Sequence, residues 1–386
     1  RNIAENTAQF MLSPRETNPV SRGLRSVATL FFLGGSMAAG MVQLTSIPMN
    51  SIPWLMQSTS YTDAFARVAS AFKTTLANVN VLTDIARIND RTIRIPGVDE
   101  VAGLRQALIV AAQDGTILDT EIYQIMGLSR GQELANGGLR QKAVDLWMYP
   151  FRKTEQINRL TTFIAAYKVG LKNKLGGRQL YDFAQNAVYS TQFRYDEANR
   201  PGLARGPVAS LLFTFKTYPI FVTETLFFLL RNNPPAGVAM MLSLMFMAGI
   251  EGLPFAEDIM DLVNFVSQRV FGSPFNVQRA LRNTLKNASE AVLGADLSGV
   301  FANGVANELT GLNFAGRLGL GNILPGTSLG APGADYKEVV SEVLGPVGSL
   351  VQGTLAGADN MLRGNFEQAA RQILPLAGQN LSKGWY

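Results

Sequence analysis

Between Asn232 and Ile250 the chain runs nineteen residues without a charge. Its body, Ala236-Gly-Val-Ala-Met-Met-Leu-Ser-Leu-Met-Phe-Met-Ala-Gly-Ile250, is apolar at every position around a helix. Such a helix is stable either in a membrane or at the centre of a large core. Just before it, Gly206 to Leu230 reads GPVASLLFTFKTYPIFVTETLFFLL, with Lys216 and Glu224 as its only charges. The turn Arg231-Asn-Asn-Pro-Pro235 joins the two. This pattern predicts an apolar helical hairpin that inserts as a unit, with a buried soluble core as the alternative.

Lys216 and Glu224 constrain that picture. Each costs about 2.5–3.5 kcal/mol at a bilayer centre on insertion scales. Eight residues separate them by about 12 Å along a helix, too far for a direct pair. Lys216, Glu224 and Arg231 are therefore candidate polar groups facing a lumen or a neighbouring subunit. Phe213, Phe215, Tyr218, Phe221, Phe227, Phe228, Met241 and Phe246 are the candidate membrane anchors.

A second apolar region lies earlier. Ser26 to Thr62 contains no charge, and Ser26 to Val42 comes close to the length of a spanning helix. Ser36 and Gly40 form a small-xxx-small pair. Pro48 and Pro53 interrupt the run, and Trp54 and Tyr61 stand near its end like an interfacial belt. A buried core helix followed by an apolar loop is the competing reading.

The rest of the chain reads as helices. Phe65, Val68, Phe72, Leu76, Val79, Leu82, Ile85 and Ile88 mark one apolar stripe over Thr62–Asn89, with Thr62 as its expected cap. Shorter helices are expected at about 100–112, 119–127 and 136–147. Ile157, Leu160, Ile164, Tyr167, Leu171 and Leu175 mark a stripe over 151–175, and a further helix covers 178–193. A basic amphipathic helix over 274–293 carries Arg279, Arg282 and Lys286. Gly294 to Gly333 is rich in Gly and Asn and predicts an irregular segment with short helices. Helices near 335–352 and 358–373 follow, with Gly353 and Gly357 placed in a linker. Phe271-Gly-Ser-Pro-Phe275 and the 294–333 stretch have the composition of hinges. The expected fold class is all-α and multi-helix, with an apolar hairpin and a Gly/Pro-rich irregular segment, assembled as an oligomeric ring or tube. The regions divide as 1–62, 63–200, 201–256 and 257–386.

Function is bounded by what is missing. The chain has no Cys and no His, which excludes thiol nucleophiles, disulfides, His- or Cys-ligated metals and any Ser-His-Asp triad. No phosphate-binding, dinucleotide or metalloprotease motif is present. Glu251, Glu257, Asp258 and Asp261 form an acidic group that could hold only a hard cation. A solvated helix start is the expected explanation. The net charge of +5 suits anionic lipid or nucleic acid. Neither an enzymatic activity nor a cofactor is expected. The polar start, Arg1 to Ser21, lacks a signal-peptide pattern, and the chain reads as a piece of a longer polypeptide.

Two stretches carry a resemblance. They are Glu155-Gln-Ile-Asn-Arg-Leu-Thr-Thr-Phe-Ile-Ala-Ala-Tyr167 and Ala204-Arg-Gly-Pro-Val-Ala-Ser-Leu-Leu-Phe-Thr-Phe-Lys-Thr-Tyr218. Together with Leu-Pro-Phe-Ala-Glu-Asp at 253–258 and Leu-Pro-Leu-Ala-Gly at 374–378, they resemble the C-terminal region of large tailed-bacteriophage proteins. These are PLxRFG-type or large polyvalent proteins and the internal virion (ejection) proteins of short-tailed phages. The PLxRFG signature itself is absent. The resemblance implies a protein held inside the virion and ejected into the host envelope, reaching periplasm and inner membrane. It implies a homo-oligomeric channel that conducts the genome, touching double-stranded DNA through its backbone and meeting other ejection or portal proteins. A soluble scaffold of the virion inner core, with apolar helices buried between subunits, is the alternative.

Overall fold

The structure is a computed structural model that describes residues 19–117, 139–193, 213, 215–271, 277–321, 323, 350 and 352–373. The helix expected at 119–127 lies outside these residues. So do most of the one near 335–352, most of the second resemblance stretch, the 374–378 run and the 272–275 hinge. Among the described residues every regular element is a helix.

The first apolar region is broken rather than continuous. Helix α1 (Pro19–Phe32) ends before Gly34-Gly35, and α2 (Met37–Leu44) starts from a Ser36 cap whose Oγ accepts from the Ala39 N–H at 3.1 Å. A π-helical turn (Ile47–Ser51) and the short α3 (Ile52–Leu55) follow, each carrying one of the two prolines near its start. Gly23–Phe32 and Met37–Leu55 meet at 88°. The expectation of one near-spanning helix over 26–42 is corrected here: glycine flexibility at 34–35 permits the corner.

Ile47, Ile52 and Leu55 face one core and Met49 faces another. Residues 47–55 thus form a wall between two cores. Three polar side chains on or next to it find partners remote in sequence. Ser46 Oγ donates to Gln192 Oε1 at 3.0 Å, Asn50 Nδ2 donates to the Thr191 carbonyl at 3.2 Å, and Ser51 shares a 2.8 Å bond with Thr162.

The first core is built on α4 (Tyr61–Leu82), α5 (Ile85–Asn89), α6 (Leu104–Gln113), α8 (Tyr149–Lys172) and α9 (Gly177–Thr191). Helix α7 (Leu139–Trp147) leads into α8. The cap of α4 is Ser60, not Thr62: its Oγ accepts from the Asp63 N–H. The buried stripe of α4 is Ala64, Val68, Ala71, Thr74, Thr75 and Leu82, whereas Phe65 and Leu76 are exposed. The expected stripe is rotated because small residues let α4 lie close along α8, with larger side chains pushed to the rim.

Helix α8 is the axle. The expectation of a single apolar face is corrected, since Ile157 through Tyr167 is buried on all sides. Asn158 donates to the Gln43 carbonyl at 2.7 Å and to Ser46 at 2.9 Å, and Tyr167 donates to the Ala102 carbonyl at 3.1 Å. Glu155 and Arg159 form a buried ion pair at 3.3 Å. Arg159 also donates to the Thr116 carbonyl at 2.9 Å. The first resemblance stretch therefore codes for packing in this chain.

The second core lies between α10 (Thr217–Asn232), α11 (Pro234–Ala248) and the short helices α14 (Ser298–Asn303), α15 (Val305–Thr310) and α16 (Phe314–Leu318). Gly249 and Gly304 make this packing close. A Cβ on Gly249 would lie 2.1 Å from the Ala302 carbonyl oxygen, and one on Gly304 would lie 2.4 Å from the Met247 oxygen. Both glycines hold positive φ, +69° and +89°. The described part of the Gly-rich segment thus folds as short helices packed on α11. Helices α12 (Ala256–Phe271) and α13 (Val277–Leu293) lie beyond it. At the C-terminal end, Gly353 and Gly357 sit inside a helix over 352–362 rather than in a linker. Gly353 there approaches Gln372 of α17 (Phe366–Ile373).

Candidate functional site

Helices α10 and α11 pack against each other across Asn233. That residue caps α11 by accepting from the Ala236 N–H at 3.3 Å, and its Nδ2 donates to the Met56 carbonyl at 3.4 Å. The helices meet tightly, since a Cβ on Gly237 would lie 2.6 Å from the Leu230 nitrogen. One side of the pair is core: Phe221, Val222, Leu226, Leu229, Met240 and Leu244 are buried. The other side is not covered by any described residue. Phe227, Phe228, Val238, Leu242 and Phe246 are 48–60% exposed.

The spacing explains both faces. Val238, Leu242 and Phe246 repeat every four residues on α11, and Glu224, Phe227, Phe228 and Arg231 follow i, i+3, i+4, i+7 on α10. A helix that is apolar all round must leave apolar side chains outside when only one of its sides meets a core. Exposed apolar stripes of this kind mark a site of contact with lipid or protein. Covering these five half-exposed side chains would release on the order of 4–7 kcal/mol, before the entropy of association is subtracted.

The candidate anchors divide between the two sides. Phe227, Phe228 and Phe246 are exposed, and Met241 is half-buried. Phe221 lies in the core, its ring tilted against Phe193 at 5.3 Å, and half-buried Tyr218 meets the edge of Phe193 at 5.8 Å. Phe213 is half-buried, and Phe215 packs on Phe32 at 5.8 Å. Lys216 stands at the start of α10, half-buried, with its ammonium 3.5 Å from the Ile323 carbonyl. Glu224 and Arg231 lie on the exposed face, on either side of the phenylalanine pair. Val238 and Leu242 were not singled out from sequence. Nor were Ile259, Leu262, Val263 and Val266, a second exposed stripe on α12 whose spacing was legible.

The acidic group after α11 is more than a solvated helix start. Asp258 is buried and accepts from the Ile323 N–H at 2.9 Å, while Glu251 pairs with Arg282 at 2.9 Å. Burial raises the pKa of the Glu257 carboxyl, with help from the charges of Glu251, Asp261 and Asp258. Among the described residues no group of three or more carboxylates is placed to hold a metal ion.

No single described helix is long and apolar enough to cross a membrane. At 16 and 15 residues, α10 and α11 reach about 24 and 22 Å. Comparison with protein-family profiles, curated proteins and solved structures finds no match to this chain.

Proposed function

We propose that this chain is part of a tailed-phage ejection protein that leaves the virion, associates with the host envelope and contributes to an oligomeric passage for the genome. The observation that carries this reading is the uncovered apolar face of α10 and α11. It calls for lipid or a neighbouring subunit, and both are available to an ejected oligomer. The resemblance at 155–167 and 204–218 supplies the biological setting, virion interior before infection and host envelope after. In this reading the chain is a conduit, not an enzyme. Glu224 and Arg231, beside the phenylalanines, are its polar contacts with a lumen, a headgroup layer or another copy. Double-stranded DNA would be met only through non-specific backbone contacts, which weaken steeply with salt.

The test is flotation of the purified chain with liposomes of phosphatidylethanolamine and phosphatidylglycerol, followed by carbonate extraction. The wild type is expected to float and resist extraction. Leu242→Asp with Phe246→Asp, both at exposed positions, is expected to stay at the bottom. A wild type that does not float counts against the envelope reading.

One observation favours a second reading. Helices of about 22–24 Å fall short of a hydrocarbon core of about 30 Å. The apolar face would then be buried between subunits of a soluble virion scaffold. That reading predicts a detergent-free oligomer that the same double substitution dissociates.

A further inference from the structure

The corner at Gly34–Ser36 joins two helices that sequence alone would make one. Gly23 to Leu44 would reach about 33 Å as a single helix, enough for a hydrocarbon core of about 30 Å. Arg25, near the start of that stretch, is its only charge.

Trp147, the last residue of α7, holds the corner bent. Its indole N–H donates to the Leu30 carbonyl at 2.9 Å, and its own carbonyl accepts from the Gly35 N–H at 2.6 Å. In a continuous helix that N–H would bond Phe31 instead. The indole fills the place of a missing side chain, since a Cβ on Gly34 would lie 1.9 Å from Trp147 Nε1. Gly35 adopts φ +63°, and Ser36 caps α2 from an extended conformation of φ −88°, ψ 102°.

Around the corner Ala28, Thr29, Ser36 and Met148 are buried, and α2 beyond it lies along α8. Val27, Met37 and Met41 are exposed. In water, straightening would lose the Trp147 bonds and expose more apolar surface. In hydrocarbon the preference reverses, because backbone groups there must be paired within the helix and apolar side chains are solvated by lipid.

We propose that Gly34–Ser36 is a latch closed by Trp147, and that its opening at a bilayer turns residues 23–44 into one membrane-crossing helix. The proposal rests on the envelope reading above and adds the segment that crosses.

Two substitutions push the latch in opposite directions. Met37→Pro suits the bent form, because position 37 is the first residue of α2 and Ser36 before it is extended, as proline requires. In the straight helix the same proline would be interior and disruptive. Gly35→Ala strains the bent form at positive φ and favours the straight one.

The experiment digests liposome-bound protein with protease and quantifies the protected fragment covering Ser26–Leu44 by mass spectrometry. The wild type should yield this fragment, Gly35→Ala a few-fold more, and Met37→Pro about a hundredfold less. Met37→Pro should keep the circular dichroism and melting of the soluble protein. If Met37→Pro fails to fold, the Gly35→Ala increase decides alone. Equal fragment yields from all chains, or flotation with no fragment from wild type and Gly35→Ala, overturn the latch and leave the envelope reading standing. If no chain floats, both fall.

Discussion

Replacing Arg159 with methionine probes whether the most polar stretch of α8 is structural. The Glu155–Arg159 side chains are only 3% and 2% exposed and lie 3.3 Å apart. Methionine removes the cation paired with Glu155 and a donor from the Thr116 carbonyl. Removing one partner of a buried pair costs about 3–5 kcal/mol. Native-state hydrogen exchange of the α8 amides should therefore accelerate by roughly two to three and a half decades. Replacing both partners, Glu155→Leu with Arg159→Met, removes the buried carboxylate as well and should restore most of the protection. A change under ~1 kcal/mol for Arg159→Met, or a double variant as weak as the sum of the single ones, would refute the reasoning.

Gly249→Ala forces a side chain into the Ala302 backbone at φ +69°; it should lower stability by more than about 2 kcal/mol, read by thermal melting. Ser60→Ala should destabilise by about 1 kcal/mol and Thr62→Ala by only a few tenths, which denaturant titration can separate. Glu257 has a raised carboxyl pKa in the folded state. The penalty is absent below the unfolded value near 4.5, grows as pH rises toward the folded value, and is complete above it. Glu257→Gln should accordingly raise the melting temperature at pH 7 and leave it unchanged near pH 4.

The helical class was legible because apolar positions recur at three- and four-residue steps, and the Pro and Gly turns fall where helices end. The orientation of α4 was not. Large residues such as Phe65 and Leu76 dominate a sequence stripe, whereas close packing against α8 selects Ala64, Ala71 and Thr75. The burial of α8 was hidden for a related reason. Asn158, Arg159 and Thr162 read as a polar face, and their partners Gln43, Thr116 and Ser51 are distant in sequence. The break at Gly34-Gly35 was visible as composition, but its cause, Trp147, lies over a hundred residues away. At the candidate site, the apolar character of α11 was plain from sequence. Which side would remain uncovered depended on where α14 to α16 packed.

The uncovered face of α11 is most directly tested by a nitroxide label, which this cysteine-free chain accepts at one introduced site. Leu242→Cys and Phe246→Cys report the exposed face, and Met240→Cys reports the core. On adding liposomes, the label at 242 and 246 should gain accessibility to oxygen relative to a polar nickel chelate, with no change at 240. Labels at 242 and 246 that stay equally open to the nickel chelate, with and without liposomes, would contradict lipid contact through this face.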